Sequence, residues 1–169
     1  MKLYKSSLKD LNDIMNIIKD AQNKLKTLNI DQWQDGYPAA SDIINDINQN
    51  QSFIFKENDE IVAYVAIIFG NDDDYQNIYN GKWQSDEKYA VMHRLCIASK
   101  YSGKGLTPTI FDIIFNYIKA NDYNYLRIDT HPDNFIMHKV LTSQRFQIAG
   151  DIYLARGHSL RIAYDIILS

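Results

Sequence analysis

At 169 residues, 46% hydrophobic and 23% charged, the chain is long enough to bury one core and short for two, so a single domain over 1–169 is expected. A net charge of −3 with no cluster of Lys and Arg argues against a nucleic-acid partner, and the one cysteine, Cys96, excludes an internal disulfide framework. The start MKLYKSSLKD lacks an apolar signal core, and the longest apolar runs, such as 61–70, are about half of what a membrane span needs, so a cytoplasmic protein without a membrane partner is expected.

In chain order, residues 2–5 read as a short strand. Ser7 with Asp10 three positions on opens a helix in the manner of a capping box, and Leu8, Leu11, Ile14, Met15, Ile18, Ala21, Leu25 and Leu28 keep helical spacing to about residue 28. A turn holding Gln32, Trp33, Gly36, Tyr37 and Pro38 leads to a short helix with Ser41 as its expected cap over Ile43, Ile44 and Ile47. Residues 52–56 and 60–69 form an expected hairpin across Asn58-Asp59. Its second strand is nearly continuous apolar and so should be covered on both faces. From 71 to 87 the chain is polar, with Asp72, Asp73 and Asp74 followed by Tyr75, Ile78, Tyr79 and Trp83, a connection with its own aromatic cluster. The run 88–121 passes from a strand through Gly103 and Gly105 into an apolar helix. A strand at 125–130, a helix capped by Asp133 to about 143, and a hairpin of 146–154 with 160–168 complete the order β-α-α-β-β-β-α-β-α-β-β. That is an α/β fold, a mixed sheet with helices on both faces.

The run at 102–107 carries chemistry. Two residues without Cβ between a strand and a helix let backbone N–H groups converge on one anion, and the helix start adds unpaired N–H groups and the positive end of its dipole. A tight turn without a ligand is the plain alternative. A Walker loop needs glycine where Ala98 stands and Ser or Thr where Gly105 stands, and a dinucleotide fingerprint needs glycine at Pro108, so both are excluded. The sequence Ser102, Gly103, Lys104, Gly105, Leu106, Thr107 instead resembles motif A, Q/R-x-x-G-x-G/A, of the GNAT acyltransferases. The central glycine matches; Ser102 and Thr107 depart. The fragment NFIMHKVLTSQRF is similar to the family's N-x-x-A-x-x-x-Y-x-x-x-G-F, with Asn134 and Phe146 matching, and Met137, Leu141 and Arg145 standing where Ala, Tyr and Gly are usual. The element order also matches the family from end to end.

The resemblance implies a sheet of about seven strands flanked by about four helices, with acetyl-CoA as acyl donor and an amine, small or on a protein, as acceptor. It implies a diphosphate held by Ser102, Gly103, Lys104, Gly105, Leu106, Thr107 and Pro108, and a pantetheine arm along the backbone of Leu95, Cys96 and Ile97 and touching Asn134. It implies direct transfer with no side-chain nucleophile, and it leaves a homodimer open. Cys96, inside an apolar strand, reads as a buried, inert thiol. The family's usual acid, a Tyr, is Leu141 here, so another group must handle the proton or none does. His131, just past the strand ending at Thr130, His93 on the central strand beside Arg94, and Tyr153 near the end of the penultimate strand are the candidates. Each has a structural alternative: His131 as a turn residue, His93 as a sheet residue paired with a carboxylate such as Asp129, Tyr153 as packing.

Trp33, Tyr37, Tyr79 and Trp83, with the acidic run 72–74, suit a cationic amine, although the two tryptophans would equally fill the edge of a core. His93, His131, His138 and His158 lack metal-ligand spacing, so no metal is expected. Two functions stand side by side, an acetyltransferase and an acyl-CoA sensor without turnover. Ser102 in place of Arg or Gln forfeits a phosphate contact of about 1.5–3 kcal/mol, a charge that Lys104 could restore in part. A cradle made of backbone at Gly103 and Gly105 favours the enzyme.

Overall fold

The computed structural model describes residues 1–168. Seven strands, β1 (Lys2–Lys5), β2 (Ser52–Glu57), β3 (Glu60–Phe69), β4 (Ala90–Ile97), β5 (Tyr125–Thr130), β6 (Gln147–Tyr153) and β7 (Leu160–Ile167), form one mixed sheet in the order β1-β2-β3-β4-β5-β7-β6. Four helices accompany them, α1 (Leu11–Thr27), α2 (Ala40–Asn48), α3 (Thr107–Ala120) and α4 (Phe135–Ser143). The chain divides into two compact units, Met1–Ile67 with His93–Ile113, and Ile68–Met92 with Ile114–Ser169.

In the first unit the expected capping box is present. Asp10 accepts from the N–H and the hydroxyl of Ser7, each at 2.9 Å, and a single 3₁₀ turn at Leu8–Asp10 leads into α1. The cap of α2 corrects the sequence reading. Ala39 holds the N-cap position, and Asp42 reaches back to its N–H at 2.7 Å, so Ser41 lies inside the first turn. A carboxylate at the third helical position satisfies the cap donor directly, which a serine one residue earlier does not. The β2–β3 turn is made by Asn58 and Asp59, both left-handed at φ 49° and 65°, the geometry a two-residue hairpin favours. Ile14, Ile17 and Ile18 of α1, Ile43 of α2, Ile54, Tyr64 and Cys96 make the core.

In the second unit β5 pairs antiparallel with β7 and β7 with β6, while β4 runs parallel to β5 at Ala90↔Leu126 and Val91↔Arg127. Tyr75, Tyr89, Val91, Tyr125, Ala149, Ile152 and Ala163 form its core. The polar connection after β3 docks on β6. Tyr79 and Asp151 exchange backbone hydrogen bonds at 2.9 and 2.8 Å, and the Lys82 N–H reaches the Ala149 carbonyl at 2.8 Å. This covers part of an edge strand that would otherwise offer its backbone to other chains. Glycine is required at the contact, because a Cβ on Gly81 would sit 2.0 Å from the Ala149 carbonyl oxygen. The cap of α4 is a second correction. Asn134, not Asp133, accepts from the Met137 N–H at 3.1 Å.

Candidate active site

The glycine loop has the conformation an anion cradle needs. A 3₁₀ turn, Ser99–Tyr101, ends β4, and Gly103 and Gly105 follow at φ +75° and +71° before α3 begins at Thr107. A Cβ built on either glycine meets nothing within 4 Å, so the space it would enter is open rather than filled by packed protein. Ile110 N–H bonds the Leu106 carbonyl at 3.0 Å, which makes Leu106 the helix cap. The N–H groups of Leu106, Thr107 and Thr109 therefore have no acceptor within the helix, and Pro108 has no N–H to lose. Open space, left-handed glycines and first-turn donors fit a diphosphate. Around the loop, Lys100 bonds Glu60 at 2.6 Å, Tyr101 hydroxyl bonds the same carboxylate at 2.5 Å, and Lys104 lies over the Tyr101 ring at 5.3 Å.

On β4, Arg94 is left-handed at φ 56°, an unusual conformation for a strand residue with a long side chain. Its guanidinium donates to Asp46 at 2.6 Å and to the hydroxyl of Tyr37, and the same Asp46 accepts from Tyr64 at 2.7 Å. Burial opposes the arginine's charge, but Tyr37 and Asp46 outweigh it and hold the guanidinium firmly protonated. Burial pushes the Tyr37 and Tyr64 hydroxyls up. Tyr37, read from sequence as an acceptor residue, is thus engaged by an internal ion pair. Leu95 and Ile97 are half-buried, and Cys96 is buried, with burial pushing its thiol up to about 12. A thiol in that state is a packing group. His93 is half-buried on the same strand, and Trp33, half-buried and left-handed at φ 64°, lies in the turn before α2.

In the second unit, His131 follows the last residue of β5. Its Nδ1 accepts the Asp133 N–H at 3.1 Å, which in the neutral ring places the proton on Nε2, and the Asp133 carboxylate lies 3.8 Å from the same Nδ1. Tyr153 closes β6, is 43% exposed, and meets Tyr79 edge to face at 5.5 Å, so two candidates that were separate in the sequence are neighbours. Trp83 is engaged within the chain. It stacks on Tyr75 at 5.8 Å, and the cation over its ring, at 4.1 Å, is the chain's own Arg127. Arg127 is also 3.7 Å from the Tyr89 ring centre and 5.0 Å from that of Tyr125, and it donates to the carbonyls of Tyr75 and Ser85. Leu141, where the resemblance led one to look for a tyrosine, is fully buried.

Sequence reasoning passed over His138. Its Nε2 faces the Pro132 carbonyl at 2.9 Å and so carries the hydrogen, which leaves Nδ1 to accept from Tyr164 at 2.7 Å. It also passed over Tyr75, whose hydroxyl donates to Asp129 at 2.5 Å; burial and that carboxylate push it far up. Asp129 has Arg161 at 3.7 Å as well. Among the described residues no group of three His, Cys, Asp or Glu could hold a metal, and no helix is long and apolar enough to cross a membrane.

Comparison with known proteins places this geometry. The model of the acetyltransferase (GNAT) family matches residues 12–145. An acetyltransferase of the GNAT family from Streptococcus agalactiae is 30% identical with a TM-score of 0.89, over 99% of this chain and 95% of its own. Two more distant structures share the fold. A GNAT acetyltransferase from Listeria monocytogenes is 16% identical with a TM-score of 0.75, over 98% of this chain and 94% of its own. YncA from Salmonella typhimurium, solved with its cofactor acetyl-CoA, is 12% identical with a TM-score of 0.65, over 99% and 94%. No curated protein matches the sequence. With its seven-stranded sheet, its glycine turn before α3 and a family model that spans well over half its length, the chain belongs to the GNAT family of acetyltransferases.

Proposed function

We propose that the protein moves an acetyl group from acetyl-CoA to an amine by direct transfer. The observation that carries this is the loop before α3, where Gly103 and Gly105 are left-handed and face open space at the start of a 14-residue helix. Acetyl-CoA, when bound, supplies the activated thioester. Ser102 to Pro108 would hold its diphosphate, mainly through backbone N–H groups. The backbone of Leu95, Cys96 and Ile97, and the amide of Asn134, are proposed for the pantetheine arm. The state of Cys96 supports direct attack. It is the only thiol of the chain, and burial keeps it protonated, which removes it as a covalent carrier.

For the proton, His131 is the first candidate. A neutral imidazole whose Nδ1 is occupied by the Asp133 N–H can exchange a proton only through Nε2, and the nearby carboxylate steadies the charged ring once it forms. His93 and Tyr153 remain the next two to change. Trp33, Tyr37, Tyr79 and Trp83 are proposed to shape the acceptor site. Tyr37 and Trp83 would do so through the internal cations they hold. No metal enters this scheme.

Calorimetric titration of acetyl-CoA tests the reading. The parent should bind, and Gly105→Val should bind at least tenfold more weakly while keeping its melting transition, because a branched side chain would occupy the open side of the loop. A parent that does not bind acetyl-CoA would falsify the proposal. A thioester-release assay over an amine library then names the acceptor. In that assay His131→Gln should lower kcat by about 10²-fold or more if the ring is the acid or base, whereas a loss of only a few-fold moves the role to His93 or Tyr153.

A further inference from the structure

The first position of the glycine motif is a serine in this chain, and the hydroxyl of Ser102 lies 3.4 Å from the ammonium of Lys24, 78 residues away in sequence. Lys24 sits in the last turn of α1. One helical turn earlier on the same face, Asp20 accepts from Ser99 at 2.6 Å, so α1 lies along the loop at two points. We infer that Lys24 supplies the side-chain cation of the diphosphate cradle, taking the place of the long side chain that residue 102 lacks. This rests on the reading that residues 102–108 bind acetyl-CoA.

The other lysines near the loop are committed elsewhere. Lys100 is matched by Glu60 at 2.6 Å, and Lys104 stands over the ring of Tyr101. Lys24 is paired with no carboxylate among the described residues, and its contact with the loop is a neutral hydroxyl. A hydroxyl can accept such a bond but cancels no charge. An ammonium held there therefore keeps its full charge for an anion arriving in the cradle. Lysine binds phosphate as a point charge on a flexible stem, so it can be supplied from a neighbouring helix, whereas a planar guanidinium must be placed at a fixed angle. The sequence pointed to Lys104 for this role because it is inside the motif; the structure assigns it to α1.

The test uses binding rather than turnover. Titrate CoA and 3′-dephospho-CoA into the full chain and into Lys24→Met, Lys104→Met, Ser102→Arg and the double variant Lys24→Met with Ser102→Arg. Lys24→Met should weaken both ligands by about tenfold. Lys104→Met should cost clearly less than Lys24→Met, and Ser102→Arg should recover most of the loss in the Lys24→Met background. Lys24 is exposed, so melting curves should not change. If Lys24→Met binds within about twofold of the parent while the parent binds CoA, the inference is wrong and the cofactor reading stands. A penalty seen with CoA but absent with 3′-dephospho-CoA would assign Lys24 to the ribose phosphate and overturn the diphosphate role. A failure of Ser102→Arg to restore affinity would do the same for the claim of replacement. If the parent binds neither ligand, the cofactor reading falls first and this inference with it.

Discussion

Arg94 in the first unit, its side chain 11% exposed, and Arg127 in the second are both largely enclosed, and they are satisfied in opposite ways. Arg94 is met by a carboxylate, Asp46, itself 2% exposed, with Tyr64 and Tyr37 completing the set. Arg127, 5% exposed, has no ion pair among the described residues. It is held by the faces of Trp83, Tyr89 and Tyr125 and by two carbonyls. Its partner across the β5–β7 ladder is Asp165, fully buried, yet that carboxylate is taken by the N–H and amide of Gln84 and by Tyr125. The first arrangement concentrates the charge balance in one contact. The second spreads it over ring quadrupoles and dipoles, so no single partner carries it.

That contrast predicts how each unit breaks. Asp46→Ala should be the most damaging change, about 3–5 kcal/mol by urea unfolding, because it leaves Arg94 buried without its countercharge. A cost below about 1 kcal/mol would mean that the tyrosines alone satisfy the guanidinium. Gly81→Ala should come next, at about 1–3 kcal/mol, since the new methyl must displace the Ala149 carbonyl and loosen the segment that carries Trp83. Trp83 fluorescence should shift to the red in that variant. Arg127→Met should cost less still, about 1–2 kcal/mol, mainly through the two carbonyls left without a donor. Should it match Asp46→Ala, the aromatic cage would be as concentrated as the ion pair and the comparison would fail.

The smallest effect at neutral pH concerns Cys96. Its folded value is raised, so the stability it contributes is complete below the ordinary thiol range and is lost as pH rises from there toward about 12. Native protein at pH 8 should therefore react negligibly with a thiol reagent and fully after urea is added. The parent should also lose more stability between pH 8 and 10 than Cys96→Ala does. Equal losses would show that the buried tyrosines, not the thiol, govern the alkaline limb.

Element order, the hairpin at Asn58-Asp59 and the glycine turn before α3 were legible because each depends on neighbours in sequence: alternation, helical spacing, left-handed turn residues. The caps at Ser41 and Asp133 were misplaced, by two residues and by one, since Asp42 and Asn134 beside them have side chains equally able to reach a free N–H. What could not be read was pairing at long range. Trp83 looked like a face for an external cation because nothing local says that Arg127, 44 positions later and on a buried strand, will occupy it. Lys24 was invisible for the same reason, since its tie to Ser102 exists only once α1 is folded against the loop.

The interleaving of the two units bears on how the protein is made. A ribosome delivers the chain from its N-terminus, so the first 67 residues emerge before Cys96, which completes the core they share. By the time Ile113 has emerged, 68–92 is already outside, with Tyr75, Tyr89 and Val91 waiting for Tyr125, Ala149, Ile152 and Ala163. The first unit must wait for 93–113, and the second for segments that arrive later still. A nascent chain stalled or truncated between the two closures would display aromatic surface to chaperones and proteases, so the second unit is the vulnerable one during synthesis.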